Sequence, residues 1–371
     1  MLDGWGGLHP FGAAPALPAG GNWAGWDIAT SLSAADSGSG SRTHQRSRPD
    51  PPSATPSGSR SEVGGLLYSP EVTSVAIETR CRVCGGSAHR RLESGDFNRR
   101  LAETRFTYFE CTTCGSLALA SLPADLERFY PTDYYQLPSS REELARVAEH
   151  ERYKLEIVQR FVAKGRLMEV GPAVGGFAYL AKEAGFMVET VEMDARCCRF
   201  LREVARVGAI HSSDARSVLE RSRHLDVIAL WHVVEHLPDP METLQAAAKA
   251  LAPGGILVVA APNPQALQLA VFGTYWAHLD APRHLQLIPA RYLRQTAAAW
   301  GMRAVLETTT DRGGLGWNLF GWDGSLRNLA HRLNLGFPRL GARVVSRLAR
   351  PLERSGDRGA TYTLVLRREP A

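Results

Sequence analysis

Apolar residues recur with two different periods along this chain, and from about residue 166 the segments they mark alternate. Short apolar runs at 166–170, 187–192, 224–230, 255–260 and 303–308 have the length of buried strands, and a last one lies at 361–367. Between them, 176–184, 195–206, 240–251 and 290–300 carry apolar positions three and four residues apart, which predicts helices. Upstream, Leu144, Val147, Tyr153, Ile157 and Phe161 predict a helix over 141–164. Strands that alternate with helices form a largely parallel sheet covered on both faces, so the expected fold class is α/β.

The rhythm fails in two places. Residues 1–65 are rich in Gly, Ser and Pro and hold no sustained apolar period. Such a segment buries too little surface to offset its ordering entropy, so 1–75 is expected to be a disordered extension. Trp5, Trp23 and Trp26 are its candidates for a short docking motif. Residues 312–358 form the second interruption, a helical insertion before the last strand (359–371). There Leu340, Val344, Leu348 and Leu352 repeat every four residues beside Arg339, Arg343 and Arg347. This predicts an amphipathic helix that touches a membrane surface through 339–352, or holds a phosphate-bearing substrate, or simply caps the domain.

Composition narrows the class. The 371 residues are 44% hydrophobic, and no run of apolar residues is long enough to span a bilayer. No basic start leads into an apolar stretch at the N-terminus, so a cytoplasmic location is expected. The net charge of +5 is mild, and nucleic acid is not expected as a partner on that ground.

Four of the six cysteines form two Cys-x-x-Cys pairs, Cys81 with Cys84 and Cys111 with Cys114. Four thiolates in two knuckles suit a closed tetrahedral Zn²⁺ site of structural kind, with a redox pair as the competitor. Gly85 and Gly115 follow the pairs and permit the tight turns. Residues 76–135 are therefore expected to be a zinc-binding module. His89 is not needed as a ligand, and Cys197 and Cys198 are expected to be packing residues.

The strand Leu167–Val170 runs into Gly171-Pro172-Ala173-Val174-Gly175-Gly176 and then a helix. Small residues at the carboxyl end of such a strand let backbone approach a nucleotide. Glu192 closes the next strand, 21 residues beyond Gly171, where a carboxylate can accept from a ribose diol. Asp194 is expected to cap the following helix.

The run Glu169–Gly176, then Glu192, Asp214, the segment 224–240 with Trp231, His232, Glu235 and His236, and 251–259 resembles class I S-adenosylmethionine-dependent methyltransferases over about 150–310. The resemblance implies a Rossmann-like domain over 136–311. It also implies that S-adenosylmethionine is held by Glu169, Gly171, Ala173 and Gly175 in the loop, by Glu192 and Met193, by Asp214 and Ala215, and by Trp231 and His232. Ala173 stands where the family usually has glycine; its methyl is small, so cofactor binding is expected to survive, with room for a shifted loop. An N-terminal four-cysteine knuckle before this pattern is similar to the deoxysugar C-methyltransferases and related small-molecule enzymes.

Methyl transfer needs the acceptor aligned and its proton removed, which points to histidine. The stretch 275–288 resembles the segment carrying the base histidine in the deoxysugar enzymes. It makes His284 the first candidate for base, His236 the second, and Tyr275, His278, Asp280 and Arg283 candidate substrate residues. Arg283 replaces the glutamate of that group and could instead hold a phosphate or carboxylate. The expected function is methyl transfer to O or C of a small molecule such as a sugar nucleotide. The alternatives are a zinc-knuckle RNA methyltransferase, favoured by the basic segment 327–354, and a non-catalytic binding protein that keeps the fold. A nicotinamide dehydrogenase has only the glycine loop in its favour.

Overall fold

The computed structural model describes residues 79–131, 134–335 and 339–370. The expected extension with its three tryptophans, residues 76–78 and the side chains of Arg339 and Leu340 lie outside the described residues.

Seven strands form the main sheet: β5 (Arg166–Val170), β6 (Met187–Glu192), β7 (Gly208–His211), β8 (Leu225–Trp231), β9 (Leu251–Pro262), β11 (Met302–Thr308) and β12 (Thr361–Arg368). Their order is β11-β12-β9-β8-β5-β6-β7. The block β9-β8-β5-β6-β7 is parallel, and β12 enters antiparallel between β9 and β11. Parallel strands in the middle of a sheet bury both faces. Accordingly Leu167, Val227, Ala229 and Trp231 pack on one side with Phe177, while Met168, Val170, Ile228 and Leu230 pack on the other.

Two elements differ from the sequence expectation. The helix expected over 141–164 is two helices, Arg141–Ala148 and Arg152–Gln159, joined by a tight turn at Glu149–Glu151. The strand β7 carries no clear apolar run because it is the half-exposed sheet edge.

A second, antiparallel sheet holds the cysteine pairs: β1 (Thr79–Arg80), β2 (Ser87–Gly95), β3 (Arg105–Cys111) and β4 (Leu117–Leu119). Its fifth strand, β10 (Gln286–Leu287), comes from the chain that follows the parallel block and pairs with β4. The small module is thus stitched into the larger domain beside His284. The insertion folds as two helices, Arg312–Arg332 and Arg339–Arg354. No helix among the described residues is long and apolar enough to cross a membrane.

Candidate active site

Above the carboxyl ends of β5 and β6, the loop adopts left-handed backbone at Gly171 (φ 66°), Ala173 (φ 50°) and Gly175 (φ 75°). A side chain at 175 would meet Leu201, since an added Cβ would lie 2.3 Å from its Cδ2. Alanine at 173 is strained in this region by about 1–2 kcal/mol. The strain is held by a hydrogen bond, as the Ala173 N–H donates to Glu192 Oε2 at 3.0 Å. The other carboxylate oxygen accepts from the Asp194 N–H at 2.8 Å. Glu192 therefore ties the loop to the end of β6, and its remaining lone pairs suit a ribose diol.

Two charged groups absent from the sequence expectation sit under this loop. Lys154 Nζ pairs with Glu151 at 3.0 Å, both buried, and Lys154 lies over the Trp231 ring at 5.5 Å. The Glu151 carboxyl packs against Gly176, where an added Cβ would lie 3.0 Å away. Their signal was present: Glu151 and Lys154 fall in the apolar seam formed by Leu144, Ala148, Leu155 and Val158, where charge is costly without a purpose. Burial pushes the Glu169 carboxyl up to about 8, against the pull of Lys154, and Glu192 up to about 7. Glu169 Oε2 is buried with no hydrogen-bond partner among the described residues, as is Trp231 Nε1.

Asp214 and Ala215 lie at the β7 end of this edge. Asp214 is exposed and caps the helix Ala215–Arg221 by accepting from Ser217 N at 2.9 Å. Met193 is also exposed. Asp194 caps the helix Ala195–Phe200, as expected. Cys197 and Cys198 are buried in that helix.

The histidines gather after β8. His232 takes a left-handed conformation (φ 57°), stacks on Trp317 at 4.6 Å and lies 3.6 Å from Glu235. His236 and His284 meet edge to face at 4.8 Å. His236 Nδ1 lies 3.0 Å from the Arg283 carbonyl and 3.1 Å from the Tyr130 hydroxyl. His284 Nδ1 lies 2.8 Å from the His278 carbonyl. A carbonyl can only accept, so both Nδ1 atoms carry the proton and both Nε2 atoms keep their lone pair. Burial holds His232 and His236 well below the ordinary imidazole range, and lowers His278 to about 4. His278 Nε2 lies 3.0 Å from the Trp317 carbonyl. Tyr275 stacks on Phe97 at 5.1 Å.

Arg283 is fully buried and bonded to Asp96 at 2.6 Å and to Asp280 through two contacts of 2.8 Å. Burial alone would raise the Asp280 carboxyl, but the Arg283 charge and hydrogen bonds hold it well below its ordinary range. The cation is thus balanced internally, joining the small module to the histidine segment. Nothing of it faces solvent. Tyr108 extends the same join, its hydroxyl donating to the His284 carbonyl at 2.9 Å.

The four Sγ atoms of Cys81, Cys84, Cys111 and Cys114 lie within 4.8 Å of one another, with pairs at 3.7 and 3.4 Å. The edge of a Zn²⁺ tetrathiolate is about 3.8 Å, given a Zn–S bond of about 2.3 Å. The N–H groups of Val83, Gly86 and Thr113 point at these sulfurs at 3.4 Å each. Such donors stabilise thiolates, and the set fits Zn²⁺.

Residues 141–307 match the family described as "Methyltransferase domain". With the sheet order above, this stretch is a class I methyltransferase domain. The chain shares 31% identity over 115 residues with the ubiquinone biosynthesis O-methyltransferase of Caulobacter sp. (strain K31), covering 29% of this chain and 46% of that protein. Against the protein of the same name from Xanthomonas oryzae pv. oryzae (strain PXO99A), identity is 27% over 157 residues, 39% of this chain and 64% of the other. The chain thus spans between about half and two thirds of the length of these curated relatives. Among solved structures, an S-adenosylmethionine-dependent methyltransferase from Archaeoglobus fulgidus aligns with a TM-score of 0.41 and 19% identity, over 62% of this chain and 95% of that one.

S-adenosylmethionine carries a cationic sulfonium and an ammonium, charges that a loop flanked by Glu169 and Glu192 would favour. Both carboxyls are raised in the folded chain from an ordinary value of 4.5, so their contribution to stability is complete below that value and is lost as pH rises through about 7 to 8. A cation favours their ionised forms. Cofactor affinity is therefore expected to increase from pH 6 to pH 8.5, with proton release on binding visible as a buffer-dependent enthalpy in calorimetry. Affinity that is flat or falls over this range would contradict the assignment of these two acids.

Proposed function

We propose that this protein transfers a methyl group from S-adenosylmethionine to a hydroxyl oxygen of a small-molecule acceptor. The observation that carries the reading is Glu192, buried at the strand end and bonded to the loop N–H of Ala173 while keeping lone pairs for a ribose. The oxygen acceptor is supported by the names of the relatives, which are O-methyltransferases. The cofactor supplies the electrophilic methyl and the leaving group. The loop 171–176 and Glu192 hold it, with Glu169, Met193, Asp214, Ala215, Trp231 and His232 along its path. The acceptor lies toward Glu235, His236 and His284, the group that meets after β8 and before β10. Tyr275, His278 and Asp280 shape that wall, and Arg283 holds the segment in register. The four cysteines hold a structural Zn²⁺ that fixes the small sheet, and through β10 the position of His284.

His284→Ala is expected to reduce turnover by about 10²–10⁴-fold while leaving cofactor binding intact. Labelled-methyl transfer to a panel of phenolic and sugar hydroxyls, run beside calorimetry, checks it. Unchanged turnover would remove His284 from the mechanism.

One surface favours an apolar acceptor delivered from a membrane. On the helix Arg339–Arg354, Val344, Leu348 and Leu352 are exposed one turn apart, with Leu348 at 74%. Arg343, Arg347, Arg350 and Arg354 flank them along the chain, and Glu353, the helix's one acid, is buried against Gln268 and Trp322. An apolar stripe with cationic flanks suits an anionic bilayer surface. Sedimentation with anionic vesicles is expected to pull down the protein and to lose it on Leu348→Asp, whereas equal binding by that variant would count against the helix.

A further inference from the structure

The cluster Glu235–His236–His284 has the chemistry of a metal site, and nothing in the loop or the cysteine module accounts for it. A carboxylate oxygen of Glu235 and one ring nitrogen from each histidine lie within 4.8 Å of one another, and all three residues are buried. Both Nδ1–H groups are committed to backbone carbonyls, those of Arg283 and His278. Metal-binding histidines are held in the same way, with the second ring nitrogen donating to a carbonyl or carboxylate so that the first presents its lone pair. The Glu235 backbone is tied to the His284 segment, its carbonyl accepting from Leu285 N at 2.8 Å.

The three ligands come from elements that the fold holds rigidly. Glu235 and His236 belong to the turn Val234–His236 directly after β8, and His284 precedes β10. The Tyr130 hydroxyl lies 3.1 Å from His236 Nδ1. Two imidazoles and one carboxylate leave coordination positions open, as in sites that bind a substrate oxygen on the metal.

We infer that Glu235, His236 and His284 bind a first-row divalent cation of the Zn²⁺ or Mn²⁺ kind, which takes the hydroxyl of the acceptor as a further ligand. A divalent cation acidifies a bound hydroxyl, Zn²⁺ more strongly than Mn²⁺, so the histidines act as ligands and the acceptor releases its proton to solvent on the cation. The inference rests on the methyl-transfer reading for its role, though not for its geometry.

The full-length chain is loaded with Zn²⁺, freed of excess, and its metal content measured. About two Zn²⁺ per chain are expected, one in the four thiols and one here. Glu235→Gln and His236→Gln are each expected to fall to about one, with the fold checked by circular dichroism. Mn²⁺ is disfavoured by thiolates, so its paramagnetic resonance signal reports the second site alone. Its binding is expected to weaken at least about a hundredfold in either variant. One Zn²⁺ per wild-type chain with no Mn²⁺ binding would overturn the inference, as would a second Zn²⁺ retained by both variants. Failure of the methyl-transfer reading looks different: two Zn²⁺ per chain with no S-adenosylmethionine binding.

Discussion

Replacing Arg283 with alanine is expected to remove about 3–5 kcal/mol of stability, the largest effect of any single substitution considered for this chain. Arg283 is fully buried, and its guanidinium bonds Asp96 and Asp280 at 2.6–2.8 Å. The variant would leave two carboxylates in the interior without their cation, and ionised groups there cost far more than the ion pair returns. A loss of this size corresponds to a fall in melting temperature of about 5–8 °C. The sign of the pH effect follows from Asp280, whose carboxyl is held below its ordinary value in the native protein. That contribution is present at neutral pH and is lost as pH falls toward the depressed value. In the variant the carboxylates can escape by protonation, so the gap from wild type should narrow as pH approaches 4. Thermal unfolding at pH 7 and pH 4.5 checks both parts, and a loss under about 1 kcal/mol at pH 7 would mean that the network is not a structural tie.

The second large effect falls on Glu192. Glu192→Ala removes the acceptor for Ala173 N–H and Asp194 N–H, together with the acceptor proposed for the ribose. Two hydrogen bonds to a charged group are worth about 1.5–3 kcal/mol each. The cofactor should therefore bind at least about a hundredfold more weakly. Stability should move much less, because the same substitution removes a buried carboxyl that burial has already raised to about 7. The variant thus separates a binding role from a folding role. Glu192→Gln, which keeps one acceptor oxygen, should fall between the two.

Much of the fold was legible because parallel core strands must be apolar on both faces. Runs such as Leu167–Val170 and Val227–Trp231 satisfy that demand over lengths too short for helices. The edge strand Gly208–His211 escapes this rule, since none of its residues is fully buried. The break at Glu149–Glu151 is invisible to a helical period, because a single tight turn leaves the seam of Leu144, Ala148, Leu155 and Val158 in phase. The placement of β12 between β9 and β11, and the pairing of Gln286–Leu287 with β4, depend on contacts between distant segments that no local pattern encodes.

The site divides along the same line. Glu192 and the loop were found by spacing, because one strand, one turn and one helix fix their separation. The shift expected from Ala173 resolves into a left-handed residue held by Glu192. Arg283 stood out as a charge in the histidine segment, but its partner Asp96 lies 187 residues earlier, so its burial could not be read from sequence. The pairing of His236 with His284 is also a matter of tertiary contact, although both histidines were candidates singly.

The most direct test of the central claim is calorimetric titration of S-adenosylmethionine into the full-length wild-type protein and Glu192→Ala side by side. One saturable site per chain in the wild type, weakened at least about a hundredfold in the variant, is the predicted result. A folded wild-type protein that gives no binding heat, or equal affinity in the two proteins, would contradict it.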